Sequence, residues 1–240
     1  VSKTFRDYLK HYLAELPGEI EGLALEQLAL FYDYLESENR HYNLTAIEEP
    51  EQVVIRHFVD SLALQQVPAF QQAKTILDVG SGAGFPGIPL AICNPNKNFV
   101  LLDSLQKRVR FLENTAQKLG LTNVGVVNER AESFGQLAHY RELFDLVTAR
   151  AVANLAILGE YCLPSTRVGG CFIAMKSDSG MAELESAATA LTILGGGQGD
   201  VIAYQLPDGR QRQLIIIPKI MATPTKYPRR PGMPKKRPLK

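Results

Sequence analysis

No apolar run in this 240-residue chain is long enough to cross a bilayer. The longest runs, such as LIIIP at 214–218, fall far short of the ~20 residues a spanning helix needs. The first residues, VSKTFRDYLKHYLAEL, mix charge with apolar residues at helical spacing, which is not the pattern of a signal peptide. Cysteine is scarce: Cys93, Cys162 and Cys171 make an odd count, form no CxxC pair and have apolar neighbours. They are expected to be buried free thiols in a reducing compartment, and a cytoplasmic location follows. His11 and His139 have no ligand set beside them, so no metal site is expected. No membrane partner is expected either, and oligomeric state is not legible.

Composition is that of an ordinary globular protein, 45% hydrophobic and 21% charged, enough for one large core or a core with a small appendage. The formal charge of +1 hides an asymmetry. Residues 219–240 hold eight of the 26 lysines and arginines and none of the 25 acids, leaving 18 bases against 25 acids elsewhere. This stretch also contains Pro224, Pro228, Pro231, Pro234 and Pro238, which exclude a helix interior or a central strand. A basic extended arm on an acidic body reads equally as a solvated terminus or as an arm for a polyanion.

The chain divides into a helical region (1–70), an alternating region (71–218) and the basic Pro-rich tail (219–240). In the first, Phe5, Leu9, Tyr12 and Leu16 fall on one helical face. Leu23, Leu28, Phe31 and Leu35 predict a second helix, and Val54, Phe58 and Leu62 a third. From Thr75, short apolar strands alternate with amphipathic helices: TILDV, NFVLLD, NVGVVN, FDLVTA and GGCFIAMK each precede one, AESFGQLAHY being the third. Five such units predict a mostly parallel sheet covered on both faces. DVIAYQL and RQLIIIP, joined through Asp208-Gly209, predict a closing antiparallel hairpin.

Ligands of such sheets sit beyond the strands' carboxyl ends. After TILDV come Gly80, Gly82 and Gly84, which permit positive φ and close backbone approach. Residues 82–87 satisfy G-x-G-x-x-G, yet the match begins three residues past Val79, and Asp78 would repel a pyrophosphate. No Walker lysine follows, which excludes a P-loop. Asp78 suits a ligand with an ammonium group, as S-adenosylmethionine has. Asp103, 23 residues past Gly80, stands where an acid holds ribose hydroxyls, and Glu129-Arg130-Ala131-Glu132 where an adenine would rest.

Together ILDVGSGAGFPGIPLAI, NRHYNLTAI, RHFVDSL, LLDSLQKRVRFL, RAESF and FDLVTARAVA resemble the RsmG family, also called glucose-inhibited division protein B. The resemblance runs from about Tyr32 to Lys176 and resumes in TPTKYPRRPGMPKKRPL. It implies a class I, Rossmann-like S-adenosylmethionine-dependent methyltransferase with an N-terminal helical cap. The implied reaction is methylation of N7 of one guanine in 16S ribosomal RNA, free or in the small ribosomal subunit. It also implies cofactor contacts at Gly80, Gly82, Phe85, Asp103, Ser104, Leu105, Ala131, Glu132 and Arg150.

Guanine N7 offers a lone pair and carries no proton, so no general base and no catalytic side chain is expected. Rate should come from holding N7 in line with the methyl group. Arg40, His57, Arg150 and Lys176 are the candidates for the RNA side. The blander alternatives are an Arg56–Asp60 pair at i, i+4, a satisfied helix histidine at 57, and Tyr32, Tyr34 and Tyr42 as core. Loss of 226–240 is expected to weaken RNA binding while leaving cofactor affinity intact. Three other readings compete: the same fold acting on another substrate, an NAD-dependent oxidoreductase, and a non-catalytic RNA-binding scaffold. Asp78 and the hairpin disfavour the second.

Overall fold

A computed structural model describes residues 3–14, 16, 20, 22–150 and 153–239. Seven strands form one sheet in the order β3-β2-β1-β4-β5-β7-β6. They are β1 (Thr75–Val79), β2 (Asn98–Asp103), β3 (Val124–Asn128), β4 (Phe144–Arg150), β5 (Thr166–Lys176), β6 (Asp200–Gln205) and β7 (Gln211–Pro218). The first five run parallel, and β7 is antiparallel to both β5 and β6. The hairpin turn closes where Asp208-Gly209 predicts it: Gly209, at φ 83°, donates its N–H to the Leu206 carbonyl at 2.9 Å.

Alternation along the strands sorts the core into two layers. Ile76, Leu101, Leu146 and Ile173 face the N-terminal helices α1 (Lys3–Leu13) and α2 (Gly22–Tyr42), together with α6 (Gly87–Cys93) and α7 (Gln106–Lys118). Their neighbours Leu77, Leu102, Val147 and Phe172 face α9 (Leu155–Cys162) and α10 (Gly180–Ile193). The helical cap therefore shares its core with the sheet. Phe5, Phe31, Phe58, Phe85 and Phe111 all lie in that layer, with Phe5 stacked on Tyr32 at 3.6 Å and Phe111 on Tyr34 at 5.3 Å. Each fully buried phenyl group contributes roughly 1.5–3 kcal/mol. Among the described residues no helix is long and apolar enough to cross a membrane.

After a loop over 43–49, the chain from Pro50 to Gln72 is helical almost throughout, as α3 (Pro50–Val53), a π-helical turn (Val54–Val59), α4 (Asp60–Leu62), a 3-10 turn (Ala63–Gln66) and α5 (Pro68–Gln72). Glu49 caps α3, its carboxylate accepting from the N–H groups of Glu51 and Gln52. The π turn carries both Arg56 and His57. Such single wide turns often mark functional positions.

Four expectations are corrected. Leu23 is 74% exposed, because α2 starts only at Gly22 and buries its apolar stripe from Leu28 onward. The predicted helix AESFGQLAHY reduces to α8 (Ala131–Phe134), after which the chain turns through Gly135. Arg56 does not pair with Asp60 but reaches Asp208 in the hairpin turn at 2.9 Å. Nor is the basic tail a loose arm. Arg141 donates to the carbonyls of Thr223, Pro224 and Tyr227, Tyr227 and Pro228 are buried, and α11 (Met233–Lys236) packs against α9.

Candidate active site

The carboxyl ends of β3, β2, β1 and β4 open into one cavity of about 590 Å³. That lies within the range of small-molecule sites, roughly 300–1,000 Å³, and is large enough for an adenosyl nucleoside. Its floor is the turn after β1. Gly80 (φ 76°) and Gly82 (φ 58°) hold left-handed backbone that a side chain would strain. The N–H groups of Gly80 and Ser81 both donate to the Leu102 carbonyl, at 2.8 and 3.1 Å, which draws the turn across the end of β2. Asp103 follows Leu102 and is 4% exposed. Its Oδ2 accepts from Gly82 N–H at 3.0 Å, its Oδ1 from Leu105 N–H at 2.9 Å, and Arg108 stands 3.6 Å away. Asp103 thus ties turn and strand into one rigid edge.

Asp78 lies beneath this floor rather than in the cavity. It is 1% exposed, and its Oδ2 accepts from Gly87 N–H at 3.1 Å, at the start of α6. Oδ1 has no partner among the described residues. Burial pushes the carboxyl up to about 6, against the pull of Ser81 and Gly87. The expectation that Asp78 faces a ligand's ammonium is therefore corrected, because its carboxylate is committed to the α6 N-terminus.

At the β4 end, Arg150 is held from three sides. Nη1 donates to the Arg56 carbonyl at 3.1 Å and to Asp60 Oδ2 at 3.0 Å, while Nη2 donates to His57 Nδ1 at 3.3 Å. Its guanidinium lies 5.3 Å over the Phe85 ring. Asp60 is fixed in turn by Tyr204 at 2.8 Å and Arg212 at 3.3 Å. A guanidinium carries five N–H groups and no acceptor. Both Nη1 protons and one Nη2 proton are engaged, so Nε–H and the second Nη2 proton have no partner among the described residues.

The same bond assigns the His57 tautomer. Arginine can only donate, so Nδ1 accepts and Nε2 carries the proton, which it donates to Thr45 Oγ1 at 2.8 Å. Thr45 Oγ1 also accepts from Ile47 N–H at 3.1 Å. Asn39 clamps the Thr45 backbone, taking its N–H at 2.8 Å and donating to its carbonyl at 2.9 Å. His57 stacks on Phe85 at 4.6 Å. Burial, reinforced by Arg150, depresses the imidazole to about 3, so it is neutral at physiological pH.

At the opposite end stand Glu129, Arg130, Ala131, Glu132 and Tyr161. Glu132 is 7% exposed, and its Oε1 accepts the N–H of Gly232 from the tail at 2.8 Å. Burial and the neighbouring Glu132 push the Tyr161 phenol up to about 12. The donor set fits an adenosyl nucleoside carrying an amino acid: carboxylates at the β2 and β3 ends, left-handed glycine backbone between them, and two spare guanidinium protons at the β4 end.

Of the residues singled out from sequence, Gly80, Gly82, Phe85, Asp103, Ser104, Ala131, Glu132, Arg150 and His57 line this cavity together. Leu105 lies outside it, 46% exposed at the start of α7. Arg40 lines a separate cavity of about 240 Å³ with Tyr32, Glu36, Asn39 and Glu48, which meets the first at Thr45. Lys176 is engaged elsewhere, donating to Glu183 at 2.8 Å and to the Ala153 carbonyl at 2.6 Å. The sequence reading omitted Thr45, Tyr161, Gly232 and Lys235 from the cavity. The last two could have been suspected only from the motif-like regularity of the tail.

Comparison with known proteins agrees with this geometry. The family model described as rRNA small subunit methyltransferase G matches residues 24–215. The chain is 46% identical over 231 residues to the ribosomal RNA small subunit methyltransferase G of Geobacillus sp. (strain WCH70), covering 95% of this chain and 97% of that protein. It is likewise 46% identical over 216 residues to the Bacillus cytotoxicus protein of the same name, covering 90% of each. Among solved structures, an O-methyltransferase from Bacillus cereus in complex with SAH superposes with a TM-score of 0.58 at 16% identity, over 90% of this chain and 99% of that one. The 16S rRNA (adenine(1408)-N(1))-methyltransferase from Catenulisporales acidiphilia gives 0.51 at 18% identity, over 64% and 89%. At those identities the likeness is one of fold.

Proposed function

We infer the function from one premise: the chain belongs to the rRNA small subunit methyltransferase G family. It is a methyltransferase of the class I fold that uses S-adenosylmethionine, and its substrate is small-subunit ribosomal RNA. The finer reading, methylation of guanine N7 in the cytoplasm, is the one this site supports best. The observation that carries it is the gathering of the glycine turn, Asp103, Glu132 and Arg150 around one cavity, with His57 neutral and no other imidazole lining it among the described residues.

S-adenosylmethionine, when bound, supplies a methyl group on a cationic sulfur. The chain's part is positioning. Glu132 and Ala131 would flank the adenine, Asp103 and Ser104 the ribose, and the Gly80–Gly82 turn the amino acid moiety. His57 is neutral and spends its one proton on Thr45, so it does not act as an acid. An unprotonated N7 needs no base. Its alignment with the methyl group is an orientation effect worth up to roughly 7–11 kcal/mol.

Arg150 keeps two donors for the cofactor's carboxylate or for guanine O6, the acceptor beside N7. Its bonds to Asp60 and the Arg56 carbonyl would keep it from lying on N7 itself, where a donor would block transfer. The RNA's phosphates would meet exposed bases at the cavity rim and in the tail. Calorimetry tests the cofactor reading: S-adenosylhomocysteine should bind saturably and NADH should not. Saturation by NADH alone overturns it.

A further inference from the structure

The tail's basic composition points outward, to phosphate, yet its best-defined contacts point inward. Arg229 is anchored on Glu160, a fully buried carboxylate in α9. Its Nε and backbone N–H both donate to Oε1 at 2.8 Å, and Nη2 donates to Oε2 at 2.6 Å. Gln136 donates to the Pro228 carbonyl at 2.8 Å. Gly135 lies so close that a Cβ there would stand 2.8 Å from Pro228 Cγ. Lys219, at the head of the segment, is buried beside Glu142 and donates to the Leu163 carbonyl at 2.6 Å. Burial pulls its ammonium down to about 8.

Three residues past the Arg229 anchor, Gly232 turns through φ 84° and gives its N–H to Glu132. Pro234 is buried, and Lys235 lies along the cavity wall. A buried ion pair costs desolvation of both charges and contributes little to stability beyond what apolar residues would give. What this one does is fix position. The segment it fixes is the one that touches Glu132, the carboxylate at the adenosine end of the cavity.

We propose that residues 224–239 are a built wall of the cofactor site, with Gly232 and Lys235 closing its adenosine end and Arg229–Glu160 as the clamp that holds the wall in register. This rests on the cofactor reading above and extends it to a segment that sequence assigned to RNA alone. Two consequences follow. Glu132 is oriented by the tail and not only by its own helix. Cofactor affinity depends on a stretch separated by 100 residues from Glu132.

The test is calorimetric titration of S-adenosylhomocysteine into four forms of the full-length protein or its truncation. The chain ended after Pro224 should bind at least tenfold more weakly than wild type. Arg229→Met with Glu160→Met removes the clamp without stranding a buried charge, and should bind at least fivefold more weakly. Glu185→Ala, exposed on α10 and outside both the cavity and the proposed wall, should bind within twofold of wild type.

Amide exchange in the wild-type protein supplies a measurement without substitutions: S-adenosylhomocysteine should slow exchange across residues 229–236 tenfold or more. Should the truncated chain fail to fold, the clamp variant and the exchange data decide. Wild-type affinity in a folded clamp variant, with no change in exchange, overturns the proposal and leaves the cofactor reading standing. Absence of binding in wild type sinks both.

Discussion

Replacing Asp78 by asparagine isolates the one buried carboxylate under the glycine turn whose environment is unfavourable to charge. Its proton is held up to about 6, against 3.8 when exposed, because burial outweighs the pull of the neighbouring Ser81 and of the bond from Gly87 N–H. A raised folded value means that the contribution to stability is intact below about pH 4, where folded and unfolded chains both hold the proton. It is lost as pH rises from about 4 to about 6, since the unfolded chain ionises first.

The full loss is about 3 kcal/mol, from a shift of about two units at ~1.36 kcal/mol each. About 2 kcal/mol of it falls between pH 4.5 and 7.5. Asp78→Asn cannot ionise and escapes that slope. Its amide adds a constant cost of about 1–3 kcal/mol for burying an unpaired N–H. Urea unfolding of both proteins across that pH range should therefore show the variant gaining about 2 kcal/mol on wild type as pH rises. A difference flat to within about 0.5 kcal/mol would refute the burial argument.

Three further outcomes are expected. Gly87→Ala places a Cβ on Leu101 Cδ2 and 2.8 Å from Asp78 Oδ2, so thermal unfolding should report about 1–3 kcal/mol of overpacking cost, and an unchanged melting temperature would contradict that contact. His57 is neutral throughout, so the pH profile of methyl transfer should lack an inflection that His57→Asn removes, and finding one would return the imidazole to proton chemistry. Lys236→Ala with Arg237→Ala should lower the slope of log K for RNA against log salt by about 1.4–1.8, and an unchanged slope would take these two residues off the phosphate path.

The sheet was legible because each short apolar strand run and each turn's chemistry are local signals. TILDV followed by Gly80, Gly82 and Gly84, and Asp208-Gly209 between two apolar runs, each fix an element within ten residues. The cavity was legible for the same reason, since its residues stand at strand ends whose order the fold class dictates. The failures are long-range. Arg56 has an acid four residues away, yet it pairs with one 152 residues distant because the π turn leaves Asp60 to Arg150. The tail's docking is written in the carbonyls that Arg141 collects and in two buried acids, Glu160 and Glu132, and neither leaves a mark in composition. Its eight positive charges drew the reading outward although Lys219 and Arg229 are both spent on the body.

Transfer of labelled methyl from S-adenosylmethionine to 16S ribosomal RNA by the purified protein, with the product base identified by mass spectrometry, bears most directly on the whole account. The label should appear as 7-methylguanosine at a single position, and Arg150→Lys, which forfeits the fork that holds the target end, should lower the rate about a hundredfold. Label on a different base or a different ring atom, or none at all on RNA that saturates the protein, would contradict the function assigned to this cavity.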